Sequence, residues 1–467
     1  MAPTMAPKVK PRIIIHGGAG NIQRENMSAD QYQQYRRTLL SIVTSTDIYM
    51  RTPRGTSDKH PTSGTVYPSA LEIATYAVVK LENESLFNSG HGAVFTRDGI
   101  NELEASVMVS RGFAKRGVGV TGLRTVKNPI LLARAMLEHG EGDLVGNTDL
   151  GWARADAELD VPSAQGHTLI HGKTAEVLAR KYGLETVDPS YFFTQKRWDE
   201  HVRGLERERQ SHGREPATWS AEEYIPQGTC GAVALDENGV LCVATSTGGV
   251  TNKLTGRIGD TPVVGAGFWA EEWSEKGDSS ARNAHTGAGP WRGLKEYLEM
   301  PGPIVELSSA LRGFLADCLP TPFTYRPVTL GSSRSAYIRS TDAEVIRSTA
   351  VSGTGNGDSF LRVAAARSVA SIARWAGLSA AEAVNRIAGR GGELEKSAGS
   401  RWGKTGEGEG GMIGIESEIA MDRSGAVLYA RSEILQDHNC AGMFRAWIGD
   451  DGLPDMKIWH EDEGGHS

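Results

Sequence analysis

Long apolar stretches are what this 467-residue chain has least of. Near its start the only apolar run is Ile13-Ile14-Ile15, far short of a signal-peptide core or of the ~20 residues of a spanning helix. Neither export nor membrane insertion is therefore expected. Long basic runs are missing as well: 57 acidic residues outweigh 50 basic ones for a net charge of −7, which argues against a nucleic-acid partner. Cysteine is scarce, and Cys230, Cys242, Cys318 and Cys440 have no metal-ligand spacing. They read as reduced structural thiols in a cytoplasmic protein, with a Cys230–Cys242 bridge the less favoured alternative. The cluster Gly17-Gly18-Ala19-Gly20 lacks the Lys-Ser/Thr ending of a phosphate loop and reads as a tight strand exit. No internal repeat is found.

What is present reads as one large layered domain with insertions. Residues 1–11, polar and proline-containing, are expected to be a disordered tail, followed by a strand at Arg12–His16. Ser28 with Gln31, and Ser69 with Glu72, are capping-box pairs that open amphipathic helices. Residues 51–67 read as a surface loop. Leu103, Ala105 and Val107 alternate as a strand, Gly117–Val120 is another, and Asn128-Pro129 opens a helix that Gly140 closes. From Lys196 to Tyr224, 13 of 29 residues are charged, so a mobile, solvated linker is expected over about 183–227. Further on, Ser359–Trp375 is apolar on one face, Ser379 with Glu382 caps another helix, and Met412–Ile419 with Ala426–Ala430 forms a last hairpin.

Chemistry concentrates at Gln227-Gly228-Thr229-Cys230. The apolar run Ala232–Leu235, the turn signal Asn238-Gly239 and the returning run Val240–Ala244 make a hairpin, and Thr229 stands at its entrance. A threonine hydroxyl needs a base. Cutting the chain before Thr229 supplies one, because the freed α-amine has a reference pKa of roughly 7.7–8.0. Gly228 permits the close backbone approach that such a cut requires. Taken alone, however, a Gly-Thr before a strand is most often only a turn.

The surroundings raise the catalytic reading: Thr245-Ser246-Thr247-Gly248-Gly249, Gly256-Arg257-Ile258-Gly259-Asp260 and Ser352-Gly353-Thr354-Gly355-Asn356-Gly357-Asp358 follow. With them the chain resembles the plant-type L-asparaginases and isoaspartyl peptidases, N-terminal nucleophile hydrolases that mature by self-cleavage before a threonine. The resemblance covers most of 12–182, then 227–269 and 350–432. It implies an α+β fold of the αββα four-layer sandwich type, which strands preceding helices in each half also suggest. It further implies an alpha subunit at 12–228 and a beta subunit at 229–467, assembled as a dimer of cleaved alpha–beta units, a heterotetramer.

Carried over residue by residue, the resemblance implies Thr229 as nucleophile, Thr247 hydrogen-bonded to its hydroxyl, Thr354 and Gly355 as oxyanion hole, and Asn88 as a positioning residue. Arg257 and Asp260 would hold the α-carboxylate and α-ammonium of an aspartyl group, with the Gly355 and Gly357 backbone helping. No catalytic cofactor is implied. A structural sodium is, held by the carbonyls of Leu81, Glu82, Glu84, Phe87, Ser89 and His91. The bland readings are β-propensity for Thr247, an exposed ion pair for Arg257 and Asp260, and a dinucleotide loop at 353–357, whose spacing does not fit.

Two departures stand out. Gly-Asn-Gly-Asp replaces the more usual Gly-Thr-Gly-Glu, and residues 270–349, with a helix expected at Ser308–Cys318, form an inserted lid or subdomain. The expected activity is hydrolysis of L-asparagine and β-aspartyl peptides. Phe268-Trp269-Ala270-Glu271 instead looks like the threonine aspartases, proteases of protein substrates. Glycosylasparaginase would call for a secretory signal. An inactive binding scaffold would not need every site motif intact.

Overall fold

The computed structural model describes residues 9–54, 66–145, 163–223, 228–275, 304–307, 324–327 and 344–460. Two units divide the chain. The larger, Lys8–Trp273 with Arg347–Glu418 and Ala430–Ser467, carries every candidate site residue. The other takes in the parallel pair β8 (Ile304–Leu307) and β9 (Thr324–Pro327), which is all that is described of the expected insertion between Glu275 and Glu344. The helix expected at Ser308–Cys318 lies outside the described residues.

One eight-stranded sheet organises the larger unit. Its strands are β1 (Arg12–Gly20), β2 (Leu103–Val109), β3 (Gly117–Leu123), β4 (Leu169–His171), β5 (Cys230–Leu235), β6 (Leu241–Thr247), β13 (Gly442–Ile448) and β14 (Pro454–Lys457). The order is β14-β13-β1-β5-β6-β2-β3-β4, antiparallel except for β3 with β4. The hairpin of β5 and β6 is as expected, with Asp236 accepting from the amides of Asn238 and Val240 across the turn. β1 does not end at His16. It continues through the glycines, its pairing with β13 shifting between His16 and Ala19, where Gly18 and Gly20 take φ of 121° and 143° that residues with a β-carbon avoid.

Strand alternation gives this sheet two faces. Ile13, Ile15, Ala105, Val107, Ala232, Ala234 and Ala244 point to one and join a core with α1 (Ala29–Arg51), α2 (Ala70–Glu82), α3 (Pro129–Val145) and α4 (Gly172–Lys181). Ile14, Met108, Val233 and Val243 point to the other and pack on Phe268 and Ala270 of β7 (Phe268–Glu275), Ala350 of β10 (Glu344–Gly355), and Ile413 and Ile415 of β11 (Gly410–Met421). With β12 (Val427–His438), those strands form a second sheet ordered β12-β11-β10-β7. A third core lies where Val351 and Met412 meet the helices at 357–398. The architecture is α+β.

Both capping boxes form: Ser28 with Gln31 opens α1, and Ser69 with Glu72 opens α2. Three expectations are corrected. Gly140 does not end α3, which runs on to Val145; a β-carbon there would lie 2.3 Å from the Arg116 guanidinium, so the glycine makes room for a buried arginine whose Nη1 donates to Leu137 O at 3.0 Å. Much of the expected solvated linker is α5 (Gln195–Gln210), capped by Thr194. Its Arg197 is 2% exposed and donates to Gly92 O, Leu86 O and Glu200, so charge alone misread a buried polar face. Finally, the β11–β12 hairpin is not the last, because β13 and β14 follow. Cys230, Cys242 and Cys440 are free thiols.

Candidate active site

Toward one end of β5 and β6 the face that packs on the second sheet turns polar. His16, Ser106, Thr245, Thr247, Glu104 and Thr229 occur there, each at most 3% exposed. The register explains why they meet: Cys230 faces Ser246 and Gly231 faces Thr245, so the next pair outward is Thr229 and Thr247. Ser106 and Glu104 on β2 face Thr245 and Thr247 in turn.

Thr229 is held at two atoms. Its hydroxyl lies 2.7 Å from Thr261 Oγ1, and its carbonyl oxygen accepts from Thr354 Oγ1 at 3.0 Å. Behind it, Gly228 presses against the β1 bulge, where a β-carbon on residue 228 would lie 2.5 Å from Ala19 N and Gly18 Cα. No other residue fits that approach without moving backbone. Gly231 is also constrained, since a β-carbon would meet His16 Nε2 and Ser352 Oγ at 2.4 Å, two atoms themselves 2.6 Å apart. Burial draws the His16 pKa down to about 3, against an upward pull from the Thr229 backbone, so the imidazole beside Thr229 is neutral.

Thr247 neighbours Thr229 across the ladder but does not hold its hydroxyl in this arrangement. Its Oγ1 accepts instead from Gly249 N at 2.9 Å. Asn88 anchors the same turn, donating to Gly249 O at 2.6 Å and accepting from Val94 N at 3.1 Å. The loop after α2 is thereby tied to the end of β6.

Thr354 and Gly355 close β10, and Asn356 then caps the short α6 (Gly357–Val363) by accepting from Ser359 N at 3.1 Å. Gly355, at φ 134°, passes so close to Glu409 O that a β-carbon would lie 2.4 Å away. Gly357 abuts the Asp260 carboxylate in the same manner: a β-carbon on residue 357 would lie 2.4 Å from Oδ1 and 3.3 Å from the Arg257 guanidinium. Three of the four expected substrate contacts, Arg257, Asp260 and Gly357, therefore converge, and Gly355 lies two residues before Gly357 at the end of β10. Arg257 also pairs with Asp358 at 2.9 Å, and the two border a cleft of about 420 Å³ shared with Lys253 and Asn356.

Asp260 is 5% exposed, and burial pushes its pKa up to about 7. Arg257 opposes the shift, while Glu104 and Asp358 add to it. Beside this turn lie two buried charged side chains to which the sequence assigns no role. Glu104 accepts from Thr121 Oγ1 at 3.1 Å and Gly259 N at 3.3 Å. Lys253 donates to Glu102 O at 2.9 Å, its pKa lowered by burial. Thr261 carries no signal in the sequence either, since its partner Thr229 lies in another segment, just before β5.

The loop after α2 curls tightly on itself. β-Carbons on Gly90 and Gly92 would lie 2.2 Å from Glu82 O and 2.1 Å from Phe87 O, so carbonyls crowd a space that only glycine leaves open. Among the described residues, Leu81 O, Glu84 O and Ser89 O accept turn hydrogen bonds of 3.1–3.4 Å from Glu84 N, Phe87 N and Gly92 N. The His91 ring is engaged elsewhere, its Nδ1 2.6 Å from Tyr191 O. This donor set of neutral oxygens fits a hard monovalent cation. Among the described residues no cluster of His, Cys, Asp or Glu suits a metal ion.

With this geometry in place, the chain can be set beside known proteins. A family model described as asparaginase matches residues 9–149 and 157–289, and the chain belongs to that family. It is 30% identical to an isoaspartyl peptidase of Escherichia coli over 97% of each chain. A putative isoaspartyl peptidase/L-asparaginase of Dictyostelium discoideum is 31% identical over 56% of this chain and 71% of its own. A plant-type L-asparaginase of Thermococcus kodakarensis is 32% identical over 56% and 70%. The family expected from the sequence motifs is thus the family found.

Proposed function

We propose that the chain is a hydrolase that cuts itself between Gly228 and Thr229 and then hydrolyses the side-chain amide of L-asparagine and of β-aspartyl peptides. The observation that carries this reading is the grip on Thr229, whose hydroxyl and carbonyl are each bonded to a buried threonine while Gly228 is pressed into the β1 bulge. In self-cleavage the hydroxyl oxygen adds to the Gly228 carbonyl carbon, the bond to the Thr229 nitrogen breaks, and the hydroxyl proton passes to that nitrogen. Water then releases the Gly228 carboxylate. The freed amine is the base for later turnover, in which Thr229 Oγ1 forms an ester with the aspartyl side chain, ammonia or an amino compound leaves with the hydroxyl proton, and water then hydrolyses the ester to release the aspartyl carboxylate and restore the hydroxyl. Arg257 and Asp260 present the zwitterionic end, and the Thr354–Gly355 segment receives the developing oxyanion.

The reading extends to assembly. β1, before the cut, lies between β5 and β13, both after it, so the alpha portion 12–228 and the beta portion 229–467 share one sheet and stay together. The three cores match an αββα stacking, and two such cleaved units pair into a heterotetramer. A sodium ion would sit at the carbonyls of the loop after α2, where it would fix the loop that carries Asn88. No described helix is long and apolar enough to cross a membrane, and a reducing cytoplasm suits the free thiols.

The stretch that resembles the threonine aspartases has a structural use here: in β7, Glu271 is fully buried and holds Lys115 at 2.7 Å, Arg374 at 2.9 Å and Arg367, so its carboxylate ties β7 to the turn before β3 and to the helix at 365–375. The intact mass of the denatured protein tests the proposal: two chains of 228 and 239 residues (467 − 228) are expected, and one chain from Thr229→Ala. Ammonia release from asparagine should accompany cleavage of β-Asp-Leu. Hydrolysis of an aspartate-containing protein with both small substrates untouched would overturn the substrate assignment.

A further inference from the structure

Thr261 is fixed more firmly than a residue of a connecting turn needs to be. It is 1% exposed, and its carbonyl oxygen accepts from Ser106 Oγ on β2, whose own partner is Thr245 Oγ1 at 2.6 Å on β6. Two strands of the large sheet thus hold the Thr261 backbone in place. Its side chain then has one hydrogen-bond partner among the described residues, Thr229 Oγ1 at 2.7 Å. The residue before it, Asp260, lies against Gly357 and beside Arg257, with its carbonyl accepting from Val263 N at 2.9 Å and Gly267 N at 3.2 Å. A single dipeptide therefore places one side chain at the substrate clamp and the next on the nucleophile.

We propose that Thr261 is a positioning residue for the Thr229 hydroxyl, in self-cleavage and in turnover, a role that rests on Thr229 being the nucleophile as proposed above. Only one polarity of the 2.7 Å contact serves an attack. Thr229 Oγ1 must give up its proton as its bond to carbon forms, so a hydrogen bond donated by Thr229 has to break. One donated by Thr261 strengthens as charge develops on the oxygen and leaves the Thr229 proton free to move to nitrogen. The contact also fixes the Thr229 side-chain rotamer, which otherwise has three staggered choices. Thr247, whose hydroxyl is taken up by the Gly249 amide, does not do this in the uncut chain.

The test follows self-cleavage of freshly purified full-length chain by denaturing gel and intact mass, in wild type, Thr261→Ser, Thr261→Val and Thr229→Ala. Valine keeps the shape and removes the hydroxyl. Loss of a hydrogen bond to an oxygen gaining charge predicts cleavage slowed roughly 10- to 100-fold in Thr261→Val, with Thr261→Ser near wild type. A cooperative melt near that of Thr229→Ala establishes that the valine chain is folded; if it is not, Thr261→Ala replaces it with the same expectation. Once matured by prolonged incubation, the variant should lose kcat with little change in KM for asparagine, a split that a loosened turn at Asp260 would not give. Cleavage of a folded hydroxyl-free variant at the wild-type rate, or failure of serine to rescue, overturns the inference. A wild-type chain that never cleaves overturns instead the reading on which it rests.

Discussion

Arg257 and Asp358 stand 2.9 Å apart, so the guanidinium expected to grip a substrate carboxylate already holds one from its own chain. On the proposed reading a substrate carboxylate competes with Asp358 for this guanidinium, and the Asp358 side chain, 61% exposed, returns to water at little cost. An exposed pair is worth about 0–1 kcal/mol, so Asp358→Asn should lower KM for asparagine by no more than about fivefold and leave kcat alone. Arg257→Ala strands the substrate carboxylate and should cost roughly 2–5 kcal/mol in kcat/KM, while self-cleavage, which needs no zwitterion, survives better. Steady-state ammonia release beside a gel of maturation separates the two effects. Equal loss of both in Arg257→Ala would remove it from substrate binding.

Gly228→Ala tests the approach of the cut site to β1. A methyl there meets Ala19 N and Gly18 Cα at 2.5 Å, backbone atoms at the bulge where β1 resumes its pairing with β13 at Ala19. Moving them costs in the overpacking range of about 1–3 kcal/mol, and self-cleavage should slow roughly 10- to 100-fold. Wild-type kinetics would mean that the bulge yields to the methyl without cost to self-cleavage.

The carbonyl loop after α2 predicts a cation effect on stability. Replacing sodium by choline at constant ionic strength should lower the melting temperature of the Thr229→Ala chain, and titrating sodium back should raise it with the logarithm of concentration. Gly92→Ala, whose β-carbon would lie 2.1 Å from Phe87 O, should melt lower and lose the dependence. A melting temperature indifferent to sodium would exclude the ion.

Local signals carried much of the fold in advance. The two capping boxes and the Asn238-Gly239 turn each act within a few residues, and each is where the pattern placed it. Misreadings arose where a distant partner decides. Gly140 is a helix terminator by propensity, yet it stays inside α3 because Arg116, 24 positions earlier, fills the space a side chain would take. The charge of residues 196–210 suggested solvent until Leu86 O and Gly92 O supplied partners for Arg197. In the site, motif residues converged at Thr229, Arg257, Asp260 and Gly357, whereas Thr261, Glu104 and Lys253 acquire meaning only through sheet register and burial. No spacing rule within one segment could have paired Thr229 with Thr261.

Asp260 gives the last prediction, because its burial acts on function and stability with opposite preferences. With a folded pKa of about 7 against an ordinary value of 3.8, the carboxyl keeps its proton through mildly acid solution. Only the ionised form attracts a substrate ammonium, so KM for asparagine should rise as pH falls below 7, approaching tenfold per unit. The Thr229 amine, with a reference pKa of roughly 7.7–8.0, governs kcat separately. For stability, the folded state holds a proton that the unfolded chain releases above pH 3.8, so stability falls as pH rises from there to 7 and the full penalty persists beyond. The shift corresponds to at most ~4 kcal/mol. Asp260→Asn in the Thr229→Ala background should accordingly raise the denaturant midpoint more at pH 8 than at pH 5, while the same change in the active chain should raise KM and erase its pH dependence. A KM for wild type that is flat between pH 6 and 8 would separate Asp260 from the ammonium, and a stabilisation equal at both pH values would show that its carboxyl is not held protonated.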